Sequence, residues 1–157
     1  MIEFRKITNE NMEECINLKV AKEQEDFVAS NLRTLAQCYV GVTNGGLGTT
    51  YAIYADDVMV GFIVYTYYPE SEVFEDNCYH IWRIMIDEKY QGKGYGKQAI
   101  EKVIAEIKTF PHGKSDCIYM SYEPENVASK KLFHSFGFVD TDKRFADDDE
   151  IIARLAI

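Results

Sequence analysis

Long apolar runs are missing from this chain of 157 residues. Its hydrophobic stretches fall far short of the roughly 18 consecutive apolar residues that a membrane-spanning helix requires. The opening residues, Met1-Ile-Glu-Phe-Arg5, also lack the charged and then apolar plan of a signal peptide. We therefore expect a cytoplasmic protein without a membrane partner.

Cysteine and histidine are few and scattered. The chain has no Cys-x-x-Cys pair, and its three histidines do not cluster in the sequence. Metal sites and disulfide frameworks depend on such spacings. We expect no metal, and reduced, mostly buried thiols. The residues concerned are Cys15, Cys38, Cys78, Cys117, His80, His112 and His134.

Positive charge is also in deficit, because 17 Lys and Arg residues face 26 Asp and Glu residues and leave a formal charge of -9. Proteins that bind nucleic acid neutralise phosphates with a basic face, so this balance argues against a nucleic-acid partner. An acidic chain suits a cationic substrate, although acidity for solubility explains the charge equally well.

The remaining composition suits one domain. Hydrophobic residues make up 46% of the sequence, which is enough for a substantial core at this length. No repeat, linker or low-complexity tract divides the chain. We therefore expect residues 1–157 to form a single domain.

Hydrophobic periodicity predicts the order of the elements. Predicted strands cover residues 2–7, 50–55, 58–67, 79–86, 117–122, 138–145 and 150–157. Predicted helices begin after Thr8 or Asn9 (with Met12, Cys15, Ile16 and Val20 on one face), after Ser30, after the glycine run at 91–97, and at Asn126. An irregular acidic segment at 21–28, loops at 45–48 and 69–77, and turns at 56–57 and 146–149 separate them.

The most informative stretch joins the strand at 79–86 to a helix through the run Gln91-Gly-Lys-Gly-Tyr-Gly-Lys97. Apolar residues then recur at helical spacing: Ala99, Ile100, Val103, Ile104 and Ile107. A glycine-rich loop that opens a helix directs unpaired backbone N–H groups and the positive helix end at one point. This geometry is typical of a phosphate-binding site.

Two common phosphate-binding motifs fit this run poorly. A Walker A loop fails, because the Gly-Lys pair comes one residue early after Gly92 and Gln98 stands where Ser or Thr is required. The dinucleotide fingerprint is matched by Gly94, Gly96 and Ala99. However, only about sixty residues follow the loop, too few for a doubly wound sheet.

A third motif fits better. Gln91-x-x-Gly94-x-Gly96 resembles the (Gln/Arg)xxGx(Gly/Ala) acetyl-CoA pyrophosphate loop of the GNAT superfamily of acyltransferases. A second block, Asn126 to Leu132-Phe133 to Gly137-Phe138, resembles a later block of the same family at its usual separation. The resemblance covers essentially the whole chain. It implies an α/β (α+β) GNAT fold: a mixed, mostly antiparallel, twisted sheet of about seven strands with about four helices, in the order β-α-α-β-β-β-α-β-α-β-β.

Further residues narrow the resemblance. Gln24-x-x-Phe27-Val-Ala-x-Asn31, Leu35-Ala-Gln37, Val40 and Gly61-Phe62 are similar to bacterial diamine and spermine/spermidine N-acetyltransferases. The resemblance implies acetyl-CoA as cofactor and transfer of acetyl to a primary amine of a small polyamine, by direct attack in a ternary complex. Acetylation of a protein α-amine or lysine, and a non-catalytic acyl-CoA-binding module, remain alternatives. A homodimer is common among such relatives.

The resemblance also assigns the cofactor site. In the family, the central strand and the strand after the glycine loop splay apart, and the pantetheine arm fills the gap. A main-chain N–H of the central strand then polarises the thioester oxygen. The expected cofactor-binding residues are Ile84, Met85, Ile86, Gln91, Gly92, Lys93, Gly94, Tyr95, Gly96, Lys97, Asn126, Ser129 and Phe133. A solvated surface explains Lys93 and Lys97 equally well, and Asn126 can also cap its helix.

The catalytic acid departs from the family pattern. The family's Leu-Tyr pair supplies an acid to the leaving thiolate, but Phe133 occupies the Tyr position and cannot donate a proton. The role lapses or moves to Tyr122 or His134, although Tyr122 is better explained as a packing aromatic and His134 as a surface helix residue. Deprotonating an amine with a pKa of about 10.4 at pH 7 costs roughly 4.6 kcal/mol, so the base matters more.

The base and the substrate site are expected among acidic and aromatic residues. Related polyamine enzymes place a carboxylate where this chain has Trp82. A water relayed to Glu23, Glu25, Glu123 or His80 is therefore the expected base. Glu23, Glu25, Phe27 and Trp82 are the expected substrate-binding residues. The acidic loop at 70–76 is a further candidate for binding ammonium groups, or simply a solvated loop.

Overall fold

Helices and strands follow one another in the predicted order. The computed structural model describes residues 1–145 and 149–157. The strands are β1 (Ile2–Lys6), β2 (Leu47–Ala55), β3 (Val58–Tyr68), β4 (Cys78–Ile86), β5 (Cys117–Tyr122), β6 (Val139–Asp140) and β7 (Ile151–Ala156). The helices are α1 (Met12–Asn17), α2 (Asn31–Thr43), α3 (Tyr95–Ile107) and α4 (Val127–Ser135), with 3₁₀ helices at Lys22–Phe27 and Glu88–Tyr90. Ser30 caps α2 as predicted, accepting a hydrogen bond from the Arg33 N–H.

Several boundaries differ from the predictions at the start of the chain. The first helix begins at Met12, because the Thr8 carbonyl and the Asn11 side chain form a turn before it. It ends at Asn17, so Val20 is not on its face. The segment at 21–28, predicted to be irregular, contains the 3₁₀ helix Lys22–Phe27.

Two strands also differ in length from the predictions. β2 begins at Leu47 and includes Gly48, because the long β3 continues to pair with it as far as Tyr67. The strand predicted at 138–145 contains only Val139–Asp140. Beyond it, Thr141 binds the Ile152 carbonyl through both its N–H and its hydroxyl. Residues 146–148 of the turn predicted at 146–149 lie outside the described residues.

The seven strands form one sheet in the order β1-β2-β3-β4-β5-β7-β6. Every neighbouring pair is antiparallel except β4 and β5, which are parallel. A parallel pair requires a crossover connection, and α3 supplies it. The predicted mixed, mostly antiparallel sheet is therefore confirmed.

The parallel pair separates partway along its length. Tyr79 to Ile81 of β4 pair with Ile118 to Met120 of β5, and the pairing then stops although both strands continue. Next to this point β4 has a bulge, because Arg83 and Ile81 pair with consecutive residues of β3 and Trp82 is the extra residue. Bulges bend a strand and increase its twist. A gap therefore opens between β4 and β5 at their carboxyl ends.

Helices cover both faces of the sheet. The predicted apolar face of α3 is buried against one sheet face, where it joins the largest hydrophobic cluster. On the other face, Cys15 of α1 and Leu35 of α2 pack against residues of β2, β3 and β4, such as Phe62. Among the described residues, each helix is too short or too polar to cross a bilayer.

All four cysteines are free, and Cys15, Cys78 and Cys117 are buried. Burial raises the pKa of Cys15 and of Cys78 to about 12. Because the thiolate is the reactive form, these thiols are chemically quiet at neutral pH. This agrees with the expectation of mostly buried thiols.

The buried imidazole of His80 should make stability depend on pH. Burial, reinforced by the charge of Arg83, lowers the pKa of His80 to about 3. The unfolded chain, with an ordinary histidine pKa of about 6.5, therefore binds more protons than the folded chain as pH falls below 6.5. The contribution of His80 is fully present above pH 6.5 and is lost progressively below it.

We expect His80→Phe to reduce the slope of unfolding free energy against pH between pH 6.5 and 4.5. The ring lies among Phe74, Tyr68 and Phe145, so phenylalanine suits the site. One histidine contributes at most about 1.4 kcal/mol per pH unit. Urea unfolding at several pH values measures the slope, and an unchanged slope in the variant would contradict this assignment.

Candidate functional site

A cleft opens where β4 and β5 separate. It has a volume of about 360 Å³. Its lining consists of Val20, Gln24, Phe27, Val28, Ile84, Met85, Ile86, Tyr90, Gln91, Gly92, Gly94, Tyr95, Gly96, Lys97, Asn126, Ala128, Ser129, Leu132 and Phe133. The cleft thus brings together the predicted cofactor-binding residues except Lys93, whose ammonium group lies 5.3 Å from the centre of the Tyr90 ring.

The glycine loop forms one wall of this cleft. Gly92 and Gly94 have φ angles of +74° and +80°, a conformation that side chains with a Cβ rarely adopt. Gly94 is the N-cap of α3 and provides no side-chain cap. The N–H groups of the first helical turn therefore lack intrahelical partners beside the cleft, where the positive end of the helix favours an anion.

The side chain of Gln91 fastens this loop to its surroundings. Its amide nitrogen donates to Gln24 Oε1 at 2.7 Å and to the Ile86 carbonyl at 2.9 Å. The loop is thus tied to both the end of β4 and the 3₁₀ helix Lys22–Phe27. Sequence reasoning did not place Gln24 in the site, although the Gln24-to-Asn31 block was a signal that pointed to it.

Asp87 fixes the end of β4 in a second way. Its carboxylate accepts hydrogen bonds from the Lys19 N–H at 2.9 Å and the Lys89 N–H at 3.1 Å, and the residue is buried. The Glu88 N–H also donates to the Lys19 carbonyl. The chain before the 3₁₀ helix is thereby held against β4. Sequence reasoning missed Asp87, which it treated only as part of a charged connection.

The start of α4 forms the opposite wall. Asn126 caps the helix, with its side-chain oxygen accepting from the Ser129 N–H at 3.1 Å. Phe133 is buried and lies edge-on to Tyr122, with ring centroids 5.7 Å apart. The predicted capping role of Asn126 is confirmed, and its side chain also borders the cleft.

A second chamber of about 40 Å³ adjoins the cleft through the gap. It shares with the cleft the residues Phe27, Val28, Ile84, Asn126, Ser129 and Phe133. Its other lining residues are Ile81, Trp82, Arg83, Met120, Ser121, Tyr122 and Glu150. Two ligands can therefore approach the gap from opposite sides, which is the arrangement that a direct transfer between them requires.

The two predicted acids meet at one carboxylate. The Tyr122 hydroxyl donates to Asp140 Oδ1 at 2.6 Å, and His134 Nε2 lies 2.8 Å from the same oxygen. Burial, and then the hydrogen bond to Asp140, raise the pKa of Tyr122 above its ordinary value. A tyrosine in this setting is a weaker acid. Tyr122 lines the second chamber, His134 lines neither chamber, and both acid roles stay predictions.

The predicted bases and substrate-binding residues differ in burial and in whether they line a cavity. His80 is buried, and Glu23 is exposed; neither lines the cleft or the second chamber. Glu25 is exposed and borders a neighbouring hollow that shares Val20, Val28 and Met85 with the cleft. Glu123 follows β5 directly, and its carbonyl accepts from the Asn126 N–H.

Three other predicted positions can be placed directly. Phe27 and Trp82 line the second chamber as a substrate role requires. The acidic loop at 70–76 lies elsewhere, because Glu75 contacts Cys117 at the beginning of β5, whereas the gap lies at the end of that strand. Glu75 is also paired with Arg154 at 3.0 Å.

Comparison with known proteins identifies a family and a related enzyme. The profile of the acetyltransferase (GNAT) family matches residues 6–138. The spermine/spermidine N(1)-acetyltransferase of Bacillus subtilis (strain 168) is 29% identical over 143 residues, which cover 87% of each chain.

Two solved structures share the fold. One is the PaiA N-acetyltransferase of Thermoplasma acidophilum in complex with coenzyme A, with a TM-score of 0.68, 17% identity, and coverage of 100% of this chain and 99% of that one. The other is the ribosomal-protein-S18-alanine N-acetyltransferase of Escherichia coli, with a TM-score of 0.69, 18% identity, and coverage of 100% and 94%.

Proposed function

This chain belongs to the acetyltransferase (GNAT) family, and from that premise we propose that it acetylates a primary amine of a small polyamine such as spermidine. Membership makes it an acetyl-CoA-dependent N-acetyltransferase. The choice of acceptor is the proposal. The single observation that carries it is the similarity to the Bacillus subtilis spermine/spermidine enzyme along 87% of both chains.

The cleft offers space and hydrogen-bond donors for the pyrophosphate of the coenzyme. Gly92 and Gly94 leave open space above the loop, because a Cβ built on either would meet no atom within 4 Å. The uncapped first turn of α3 offers N–H donors to a pyrophosphate. We assign the pyrophosphate to residues 91–97 and the pantetheine arm to the gap between Ile84–Ile86 and Asn126–Phe133. When bound, the coenzyme supplies an acetyl thioester.

The chain's own residues orient the reaction and carry protons. We assign polarisation of the thioester oxygen to one main-chain N–H of the stretch Ile84 to Ile86, on the side of β4 that faces the gap. The amine must lose a proton before attack, at a cost of roughly 4.6 kcal/mol at pH 7. We assign this step to a water relayed to Glu25, which borders a hollow beside the cleft, or to Glu123, which directly follows β5. Selective loss of kcat in Glu25→Gln or Glu123→Gln would identify the base.

The size of the second chamber favours a slender acceptor. Its volume of about 40 Å³ admits little more than the tip of an amine-bearing chain. A polyamine presents such a tip, and the net charge of -9 attracts it. The second candidate acceptor is a protein amine, which the similar fold of the Escherichia coli alanine N-acetyltransferase favours.

Thiol release from acetyl-CoA tests the proposal. The panel contains spermidine, spermine, 1,4-diaminobutane and peptides with free α-amines or lysines. Release that depends on the polyamines supports the proposal, and release that depends only on peptides supports the second candidate. If CoA binds but no amine accelerates release, the chain is a binding module rather than an enzyme.

We expect Phe133→Tyr to leave kcat unchanged or to raise it severalfold. The ring lies at the junction of the two chambers, so an added hydroxyl restores the acid that relatives carry there. A thiol with a pKa of about 8.5 leaves tolerably without help, which limits the gain. Steady-state kinetics with saturating acetyl-CoA measures the effect. A large loss would show that this position serves packing and not acid catalysis.

A further inference from the structure

The outward face of α2 is apolar, which is unusual for a helix on the surface of an acidic protein. Four large apolar side chains of this helix are exposed, whereas every other helix or strand among the described residues exposes at most one. They are Leu32, Tyr39, Val40 and Val42, with exposed fractions of 58%, 72%, 56% and 55%. Single apolar residues are ordinary on a protein surface, but a group of them on one element marks a site of interaction.

Three side chains on this face form one row along the helix. Leu32, Ala36 and Val40 are four residues apart, and residues at this spacing are neighbours on a helix surface. Tyr39 stands beside the row, whereas Leu35 lies on the inner side of the helix and packs against the sheet. Ala36 is exposed at the middle of the row, between two larger side chains. A small side chain at this position shortens the distance at which a second helix can pack.

The row is complementary to a second copy of itself. If two α2 helices cross at Ala36 with two-fold symmetry, Ala36 meets its own copy, and Leu32 of each chain meets Val40 of the other. A two-fold interface requires such reciprocal contacts. Rows of residues four apart also pack against each other in the commonest class of helix pair. The same surface therefore supplies both halves of an interface.

Charge also favours a second copy of this chain as the occupant. The net charge of -9 makes two copies repel each other over most of their surfaces. In contrast, the 13 residues of α2 include one charged residue, Arg33, and no Asp or Glu. Two acidic chains therefore meet at α2 with little repulsion. A basic partner would find no opposite charge on this face to attract it.

From this placement we infer that two copies of the chain pair through α2, with the helices crossing at Ala36. The row, Tyr39 and their polar margin remove on the order of 1,000 Å² of surface from water in such a pair, which is close to the minimum for a specific interface. The dimer therefore dissociates on dilution. Leu32, Tyr39 and Val40 lie outside the lining of the cleft and of the second chamber, so both sites stay open. This inference goes beyond the proposed function and does not depend on the acceptor.

Sedimentation velocity of the full-length protein tests the pairing, at concentrations from about 1 to about 100 μM, where small interfaces dissociate. We expect a species with twice the mass of one chain at the upper end of this range. Ala36→Glu would place two carboxylates face to face at the crossing, and we expect it to weaken association at least about 100-fold. Val139→Glu is the matched control, because it adds the same charge at an exposed apolar residue of β6 and should leave association unchanged.

Charge complementation tests the crossing point itself. Ala36→Lys alone should also associate weakly, whereas an equimolar mixture of Ala36→Glu and Ala36→Lys should pair, because a two-fold contact at Ala36 brings the two new charges together. Glu and Lys are good helix formers, so both variants should fold, which circular dichroism checks. A wild-type protein that stays monomeric, a dimer that Ala36→Glu leaves intact, or a mixture that does not pair would each overturn the inference. Thiol release in the amine panel tests the proposed function separately.

Discussion

Gly94→Val should weaken CoA binding by at least about 100-fold, which corresponds to roughly 2.7 kcal/mol. Gly94 combines a φ of +80° with a position at the N-cap of α3. A β-branched residue in this conformation is strained by about 1–3 kcal/mol. Its side chain would also fill the open space above the loop, where we assign the pyrophosphate, and would separate the phosphate from the main-chain donors. Isothermal titration with CoA measures the loss.

Gly45→Val is the matched control. Gly45 has a φ of +86°, and a Cβ there also meets no atom within 4 Å, but it lies in the connection between α2 and β2. Both variants carry the same backbone strain, and only one changes the cleft. We expect similar losses of unfolding free energy and an unchanged CoA affinity for Gly45→Val. Equal CoA affinities in the two variants would rule out the loop assignment.

Gly61→Ala should destabilise the protein by about 3 kcal/mol, at the upper end of the usual cost of overpacking. Gly61 of β3 faces Ile86 of β4, and an added Cβ would press against the Met85 carbonyl oxygen and lie 2.8 Å from Ile86 Cδ1. The backbone of β4 must move to relieve this contact. Because Met85 and Ile86 border the cleft, we also expect a loss of CoA affinity.

Gly48→Ala provides the comparison for this second variant. Gly48 is also a strand glycine, but its added Cβ would lie 3.5 Å from Thr66 Oγ1, an ordinary contact distance. We expect its unfolding free energy to change by less than about 1 kcal/mol. Urea denaturation compares the two proteins. If the Gly61→Ala protein is as stable as the Gly48→Ala protein, the backbone of β4 moves with little loss of unfolding free energy, and the prediction is wrong.

Structural features that depend on residues close together in the chain were predicted best from the sequence. The glycine loop, the buried face of α3 and the Asn126 cap are local features, and each is found where its motif indicates. The order of the elements is equally local. It follows from periodicity and turn residues within short windows. The separation of β4 and β5 was expected only through the resemblance to the family, and their parallel pairing was not predicted.

Contacts between distant parts of the chain were not predictable in this way. Gln24 and Gln91 are 67 residues apart, and Lys19 and Asp87 are 68 apart, yet each pair forms a hydrogen bond beside the end of β4. Nothing in either local sequence marks its partner. The bulge at Trp82 was also hidden, because local sequence does not show where the register of β4 shifts by one residue. The short β6 was overestimated for the same reason, since local composition does not fix where pairing stops.

The early separation of β4 from β5 would make the stability of the protein depend on a coenzyme bound between the two strands. Beyond Ile81, the main-chain groups of β4 that face the gap have no strand partner among the described residues. A coenzyme in the position that we assign to it would join the β1–β4 part of the sheet to the β5–β7–β6 part. At one hundred times its Kd, such a ligand adds about 2.7 kcal/mol to the free energy of unfolding. We therefore expect a protease added to the purified protein to cleave it faster without CoA than with it.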